Sequence, residues 1–161
     1  MTKTHSTPVE PILVRPARHD DVSLMARWAE AMAFETEHKQ LDPATVTTGI
    51  LAGLEDPERA CYFMAEIAGE PVGTLAYTFE WSDWRNGWWW WIQSVYVAPE
   101  HRRKGAFQAL YAHVQGLARK RDDVCGLRLY VERDNIPAQR TYEFLGMLDP
   151  GYRMYELDTR K

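Results

Sequence analysis

The feature that most constrains this chain is the abrupt passage from a strand to a helix within residues 95–108. An apolar run, Val95-Tyr96-Val97, ends at Pro99, a basic stretch with Gly105 follows, and a helical pattern begins directly after it. A helix that starts so soon after a strand presents backbone N–H groups without intrahelical partners, and its dipole favours an anion there. The segment therefore predicts a binding site for phosphate oxygens.

The basic residues of this segment, Arg102, Arg103 and Lys104, could belong to an ordinary surface loop, but two observations favour an anion site. Positive charge at a helix N-terminus opposes the dipole and lowers stability unless an anion compensates it. Gly105 is a poor helix former that is tolerated where a ligand approaches the backbone closely. The chain has neither a Walker A sequence nor a GxGxxG fingerprint, so the pattern disfavours ATP and NAD and favours another pyrophosphate compound.

Length and composition describe a globular protein. With 161 residues, of which 45% are hydrophobic and 26% charged, the chain suits one well-packed domain and is too short for two. We expect a disordered leader over residues 1–9 and a single domain over residues 10–161. The net charge of −4 disfavours a nucleic-acid partner. Two cysteines outside any CxxC motif, no metal-type ligand spacing and no apolar run of membrane-spanning length predict a cytoplasmic protein with no metal and no membrane association.

Hydrophobic periodicity predicts an α/β domain with a mixed sheet and the element order β-α-α-β-β-β-α-β-α-β. The predicted strands occupy residues 12–15, 62–68, 71–79, 88–97, 127–131 and 152–157. Asp20 or Asp21 is predicted to cap the first helix. The others are predicted to begin after Asp42-Pro43, after Gly105 and at Ile136, and the last one ends at Gly146. Gly69-Glu70 predicts a hairpin turn, and the fourth and fifth strands with their helix predict one parallel crossover.

A second motif lies downstream, where Asn135 and Tyr142 are about two helical turns apart and so project to the same side of a helix. Ala138 lies between them and leaves room for a ligand, and the helix leads into Leu145-Gly146-Met147. Taken alone, the asparagine reads as a helix cap and the tyrosine as a core residue. Combined with Arg102-x-x-Gly105 upstream, the motif resembles the GNAT superfamily of N-acetyltransferases, whose order of elements is the one predicted here.

The resemblance covers residues 10–157 and implies a GNAT-like acyl-CoA N-acyltransferase fold. It implies an enzyme that moves an acetyl group from acetyl-CoA, its cosubstrate, to a primary amine by direct attack. It also implies that Tyr142 is the general acid, because a phenol stays protonated at neutral pH and can donate to the departing thiolate. The residues implied to bind acetyl-CoA are Val95, Tyr96, Val97, Arg102, Arg103, Lys104, Gly105, Ala106, Phe107, Gln108, Asn135 and Tyr142.

Two positions depart from the family pattern. Phe107 stands where a small residue is usual, so its ring is expected to point away from the pyrophosphate and into the helix–sheet core. Gln93 stands where many members carry a glutamate general base, and glutamine cannot accept a proton at neutral pH. This departure keeps open the alternative of a non-catalytic acyl-CoA-binding sensor or regulatory module.

The acceptor is expected to be a small-molecule or peptide amine. The sequence leaves aminoglycosides, polyamines, amino acids, peptide N-termini and lysine side chains open. Glu35 and Glu37, beside His38, lie where the family lines its acceptor cleft, and Glu132 on the predicted fifth strand is a further candidate, although each could be a solvated surface charge. Of the consecutive tryptophans Trp88–Trp91, two are expected in the core and two at an acceptor pocket or at the contact of a possible homodimer.

Overall fold

A mixed five-stranded sheet organises the chain, and its strands lie side by side in sequence order. The computed structural model describes residues 10–159. The strands are β1 (Ile12–Pro16), β2 (Cys61–Ile67), β3 (Glu70–Ser82), β4 (Gly87–Val97) and β5 (Val124–Arg128). The first four pair antiparallel, and β5 pairs with β4 in parallel. The predicted α/β class with a mixed sheet is confirmed.

Four α-helices accompany the sheet among the described residues: α1 (Val22–Glu37), α2 (Pro43–Leu54), α3 (Ala106–Ala118) and α4 (Ile136–Phe144). The Asp42 carboxylate caps α2, since it accepts a hydrogen bond from the Thr45 N–H at 2.8 Å. Asp21 precedes α1 as predicted, but its carboxylate accepts from the Arg18 N–H and from Arg15 rather than from α1. None of the described helices is long and apolar enough to cross a membrane.

The described chain divides into two compact units, with the boundary between Leu129 and Tyr130. The first unit contains the whole sheet together with α1, α2 and α3. The second unit contains α4 and the segments on either side of it. The single domain over residues 10–161 stays a prediction, and the leader over residues 1–9 lies outside the described residues.

Two neighbouring residues of β2 illustrate how the helices divide between the faces of the sheet. Phe63 contacts His113 of α3, with 4.8 Å between their ring centroids. Met64 points the opposite way and is fully buried against Met25 and Trp28 of α1. Ile50 of α2 packs against the same cluster. α3 therefore covers one face of the sheet, and α1 with α2 covers the other.

The hairpin between β2 and β3 turns one residue earlier than predicted. Ile67 pairs with Glu70, so the turn residues are Ala68 and Gly69 rather than Gly69 and Glu70. Both have positive φ values, 52° and 82°, as a type I′ turn requires. Gly69 was correctly predicted to lie in the turn. The pairing register of the two strands makes Ala68, rather than Glu70, the second turn residue.

Two predicted strands differ from the structure. The fifth runs from Val124 to Arg128 instead of over residues 127–131, and it pairs with β4 only along Trp88–Trp91. Residues 152–157, predicted as a terminal strand, have no regular secondary structure. A strand is stable only when a neighbour pairs with its backbone, and among the described residues no ladder includes this segment. The alternating pattern of residues 152–157 indicates a propensity for a β-strand, but among the described residues no strand pairs with them.

The consecutive tryptophans alternate across β4 as predicted. Trp90 is 4% exposed and stacks on Tyr77, with 4.2 Å between the ring centroids and 8° between the planes. Trp89 lies on the other face of the sheet, where the Arg128 guanidinium is 4.1 Å from its ring centroid. The tryptophans therefore serve the core on one face and a cation–π contact on the other.

Candidate active site

The second half of β4 contains a β-bulge. Ser94 and Val95 together stand opposite the single residue Leu75 of β3, and Ser94 has a left-handed φ of 49°. The extra residue reverses the alternation of side chains along the strand. Trp90, before the bulge, packs on the α3 side, whereas Tyr96, after it, packs on the α1 side. The bulge also leaves backbone groups of β4 outside the regular ladder.

One edge of β4 is open beyond Trp91. The parallel ladder with β5 ends there, and among the described residues no other strand pairs with that edge as far as Val97. Val95, Tyr96 and Val97, predicted to pair with the pantetheine arm, lie on this stretch, although the Val97 carbonyl accepts a hydrogen bond from Arg102 Nε at 2.9 Å. An unpaired strand edge offers N–H and C=O groups to an extended ligand.

The turn between β4 and α3 contains two residues with left-handed φ values. After a short 3₁₀ turn, Pro99–His101, the chain passes through Arg103 with φ 61° and Gly105 with φ 92° before α3 begins at Ala106. Gly105 is the N-cap residue and offers no side chain to the first helical amides. A helix that begins at such a residue directs its first backbone N–H groups toward the preceding turn, which suits phosphate oxygens.

The long polar side chains of this turn are exposed, whereas its apolar side chains are covered in whole or in part. Arg103, Lys104 and Gln108 are exposed, and Ala106 is buried against the sheet. Phe107 is half-buried, with its ring centroid 6.0 Å from that of Tyr111 one turn later in α3. The large residue at this family position therefore packs along the helix.

Arg102 joins two residues that the sequence assigned to different roles. Its Nη2 forms an ion pair with Glu35 Oε2 at 2.8 Å, and its guanidinium lies 5.3 Å from the centre of the Tyr96 ring. The Tyr96 hydroxyl donates to Glu35 Oε1 at 3.1 Å. Burial, together with this carboxylate, raises the pKa of Tyr96, so its phenol stays protonated. These contacts connect Glu35, near the end of α1, with Arg102, at the start of the basic turn.

A cavity of about 180 Å³ lies between α1, α2 and strands β2 to β4. It reaches the bulge, because Ser94 is part of its wall. The lining residues are Met25, Trp28, Ala29, Met32, Val46, Gly49, Ile50, Tyr62, Thr74, Ser94 and Tyr96. The cavity therefore meets β4 at the point where the open edge and the bulge adjoin.

The other candidate acceptor residues have local partners of their own. Glu37 forms an exposed ion pair with Lys39, at 2.5 Å between Oε2 and Nζ. Glu132 belongs to the second unit and follows β5 in a loop instead of lying on a strand; its carboxylate accepts from the Asp134 N–H at 2.7 Å. Gln93, directly before the bulge, donates from Nε2 to Thr78 Oγ1 at 2.6 Å.

The second unit contains Asn135 and Tyr142. The Asn135 side chain caps α4 by accepting from the Ala138 N–H at 3.2 Å. Gly146, with φ 85°, follows the end of that helix as predicted. Burial raises the pKa of Tyr142, so its phenol keeps its proton at neutral and mildly alkaline pH. Across the described residues, no group of three or more His, Cys, Asp or Glu side chains is arranged to hold a metal ion.

Most of the chain, residues 22–147, matches the profile of the Acetyltransferase (GNAT) family. The chain belongs to this family. A solved structure 43% identical to it is that of a possible acetyltransferase from Clostridium difficile 630, with a TM-score of 0.86 over 94% of this chain and 100% of that chain. The resemblance to the GNAT superfamily is thereby confirmed, and the protein is a GNAT acyltransferase.

More distant solved structures share the fold alone. A predicted acetyltransferase from Clostridium acetobutylicum, determined with acetyl-CoA, is 18% identical, with a TM-score of 0.72 over 92% of this chain and 96% of that chain. The ribosomal-protein-alanine N-acetyltransferase from Brucella melitensis biovar Abortus 2308 is 19% identical, with a TM-score of 0.73 over 93% of this chain and 100% of that chain. No match was found among curated proteins.

Sequence patterns missed the cavity of this GNAT protein. Its α1 wall consists of apolar residues at helical spacing, such as Met25 and Trp28, which also predict ordinary core packing. One available signal was Gly49 in the middle of α2, where glycine is a poor helix former. A side-chain β-carbon built there meets no atom within 4 Å, so the glycine leaves space open.

Proposed function

We propose that this GNAT protein is an acetyl-CoA-dependent N-acetyltransferase that acts on a primary amine. The observation that carries the proposal is the meeting of three features at the β4 bulge. These are the open strand edge, the amide-rich start of α3 that follows it, and the cavity bounded by Ser94. The open strand edge followed by an anion site suits a long phosphorylated ligand, and the cavity suits a second reactant.

The residues of the first unit fit the chemistry of acetyl-CoA. The N–H groups of residues 106–108 would bind pyrophosphate oxygens, with Arg103 and Lys104 adding positive charge. Backbone groups of Tyr96 and its neighbours would pair with the amides of the pantetheine arm as a further strand would. Gly105 lets the chain reach this arrangement, because its φ of 92° lies in the region that glycine adopts readily.

When bound, acetyl-CoA supplies the acetyl group as a thioester. In the balanced reaction an alkylammonium loses one proton, its nitrogen forms a bond to the thioester carbon, and the carbon–sulfur bond breaks. The products are an acetamide, the CoA thiol and the released proton. Backbone N–H groups freed by the bulge would stabilise negative charge on the carbonyl oxygen. Gln93 cannot take the ammonium proton, so in this proposal the proton passes to water.

Tyr142 is the candidate general acid, by resemblance to the family. A phenol is protonated at neutral pH and can donate to a thiolate, and burial, which raises the pKa of Tyr142, keeps it in that form. Tyr142→Phe should lower kcat by about 10²–10⁴-fold and leave the Kd for acetyl-CoA nearly intact, because the ring, which could still contact the cosubstrate, is retained. A thiol-release assay would measure kcat, and isothermal titration calorimetry the Kd. If kcat were unaltered, Tyr142 would have no part in the proton transfer.

The rival possibility is an acyl-CoA-binding module without catalysis. Incubation with acetyl-CoA and a panel of primary amines, followed by mass spectrometry, separates the two. A mass increase of one acetyl group on any amine, dependent on the protein, supports the enzyme. Acetyl-CoA binding measured by calorimetry, with no acetylated amine across the panel, would support the binding module instead.

A further inference from the structure

We propose that the acceptor of this enzyme is an amine that carries an uncharged apolar group of about the size of one aromatic ring, held in the cavity beneath the β4 bulge. The inference rests on the proposed acetyl transfer and specifies the substrate class for it. It favours arylalkyl or branched alkyl amines over polyamines and aminoglycosides.

The walls of the cavity determine its preference for apolar groups. Met25, Trp28 and Met32 of α1 face Val46 and Ile50 of α2 across it. None of the described residues that line it has a formally charged side chain at neutral pH. A second ammonium group placed inside would be buried without a counter-charge, which is strongly unfavourable.

Glu35, the carboxylate bonded to the cavity residue Tyr96, already has hydrogen-bonding and ionic partners. It accepts from Tyr96, which lines the cavity, and its charge is matched by Arg102. A polycation would have to compete with that arginine for the carboxylate. The apolar surroundings instead favour the uncharged form of a single amine, which is the nucleophilic form. This preference is consistent with the glutamine at position 93, where no base is present.

The volume sets the size of the apolar group. The cavity measures about 180 Å³, somewhat more than the engineered apolar cavity of about 150 Å³ that binds benzene. One phenyl ring or a branched alkyl group therefore fits the space. Gly49 is exposed and lines the cavity, so it lies where the cavity opens.

Hydroxyl groups lie on the sheet side of the cavity. The buried Thr74 hydroxyl donates to the Phe63 carbonyl at 3.0 Å, and its oxygen lone pairs can still accept a hydrogen bond from an amine. Ser94, at the bulge, is exposed and carries a second hydroxyl. An amine oriented by these oxygens would present its nitrogen to β4, with its apolar group directed between α1 and α2.

The first test compares amines that differ only in the group attached to nitrogen. We expect kcat/KM for 2-phenylethylamine and 3-methylbutylamine to exceed that for ethylamine and for putrescine by about tenfold or more, since burial of two further methylene-sized groups is enough for that difference. Calorimetric titration of 2-phenylethylamine into the CoA-bound protein gives a readout independent of turnover. Equal or higher kcat/KM for putrescine or spermidine would overturn the inference while leaving the acetyltransferase intact.

The second test fills the cavity. Gly49→Leu places a side chain where a β-carbon meets no atom within 4 Å, and it should weaken 2-phenylethylamine binding about tenfold or more with an unchanged Kd for acetyl-CoA. Gly116→Leu is the matched control, because its β-carbon also meets nothing, and α3 lies on the other face of the sheet. Equal effects of the two variants would refute the cavity as the acceptor site. If the wild-type protein acetylated no amine, the proposed function would fail, and this inference with it.

Discussion

Gly105 provides a direct test of how the anion-binding turn is built. Its φ of 92° lies in the left-handed region, where a residue with a side chain costs about 1–2 kcal/mol. The β-carbon added by Gly105→Ala would lie 3.5 Å from Gln108 Oε1 and 3.6 Å from Ile12 Cδ1, both ordinary contacts. The penalty therefore comes from the backbone alone. Reduced entropy of the unfolded chain offsets part of it, which leaves a net loss of about 1 kcal/mol.

Gly116→Ala makes the same chemical change within α3 and should have the opposite effect. Gly116 has no positive φ, and an added β-carbon there meets no atom within 4 Å. Alanine is the better helix former, so this variant should gain about 0.5–1 kcal/mol. The two variants should therefore differ in unfolding free energy by about 1.5–2 kcal/mol, with the wild-type protein between them.

Urea unfolding followed by tryptophan fluorescence would measure both variants against the wild type. A shift in midpoint at constant slope reports a change in stability. In a thermal melt, each 1 kcal/mol corresponds to a Tm change of about 2–4 °C for a protein of this size. If Gly105→Ala proved as stable as the wild type or more so, the left-handed turn before α3 would be refuted.

Two further predictions concern ion pairs. Arg15 holds the pKa of Asp21 below its ordinary value of 3.8, so this contribution to stability is present above that value and is lost as the pH falls through the lower folded-state pKa. Asp21→Asn should therefore lower the free energy of unfolding by about 3 kcal/mol at pH 7. It should also reduce the loss of stability between pH 5 and pH 3, and an unaltered pH profile in urea unfolding would contradict this. The Glu35–Arg102 pair is partly exposed, at 41% and 42%, so a double-mutant cycle of Glu35→Gln and Arg102→Gln should give a coupling energy below about 1 kcal/mol. A value above about 2 kcal/mol would indicate a more buried pair.

Local signals in the sequence predicted much of the fold. Asp42 before a proline marked the start of α2, Gly69 marked a hairpin, and Gly105 and Gly146 marked turns that bound helices, because each feature depends on a few neighbouring residues. The strand predicted over residues 152–157 was wrong for the opposite reason. Pairing depends on a partner elsewhere in the chain, which an alternating pattern cannot specify.

The candidate site was predictable only in part. The strand–turn–helix segment indicated an anion site, and the structure has the backbone turn that this requires at Gly105. The contact between Glu35 and Arg102 joins residues 67 positions apart, so no local pattern announces it. The bulge could not be predicted from the sequence either, because serine does not by itself favour the left-handed conformation that Ser94 adopts. The cavity follows from the packing of two helices on the sheet around Gly49.

The bulge at Ser94 also restricts how this strand can be edited, whether by mutation or by design. Deleting the serine would affect more contacts than its own. Without the extra residue, the side chains of Val95 to Val97 would each point to the opposite face of the sheet. Tyr96 would lose Trp28 and meet the side that α3 covers. Substitutions at Ser94 should therefore be far better tolerated than an insertion or deletion there. The number of residues in this part of β4 is constrained more strongly than the identity of residue 94.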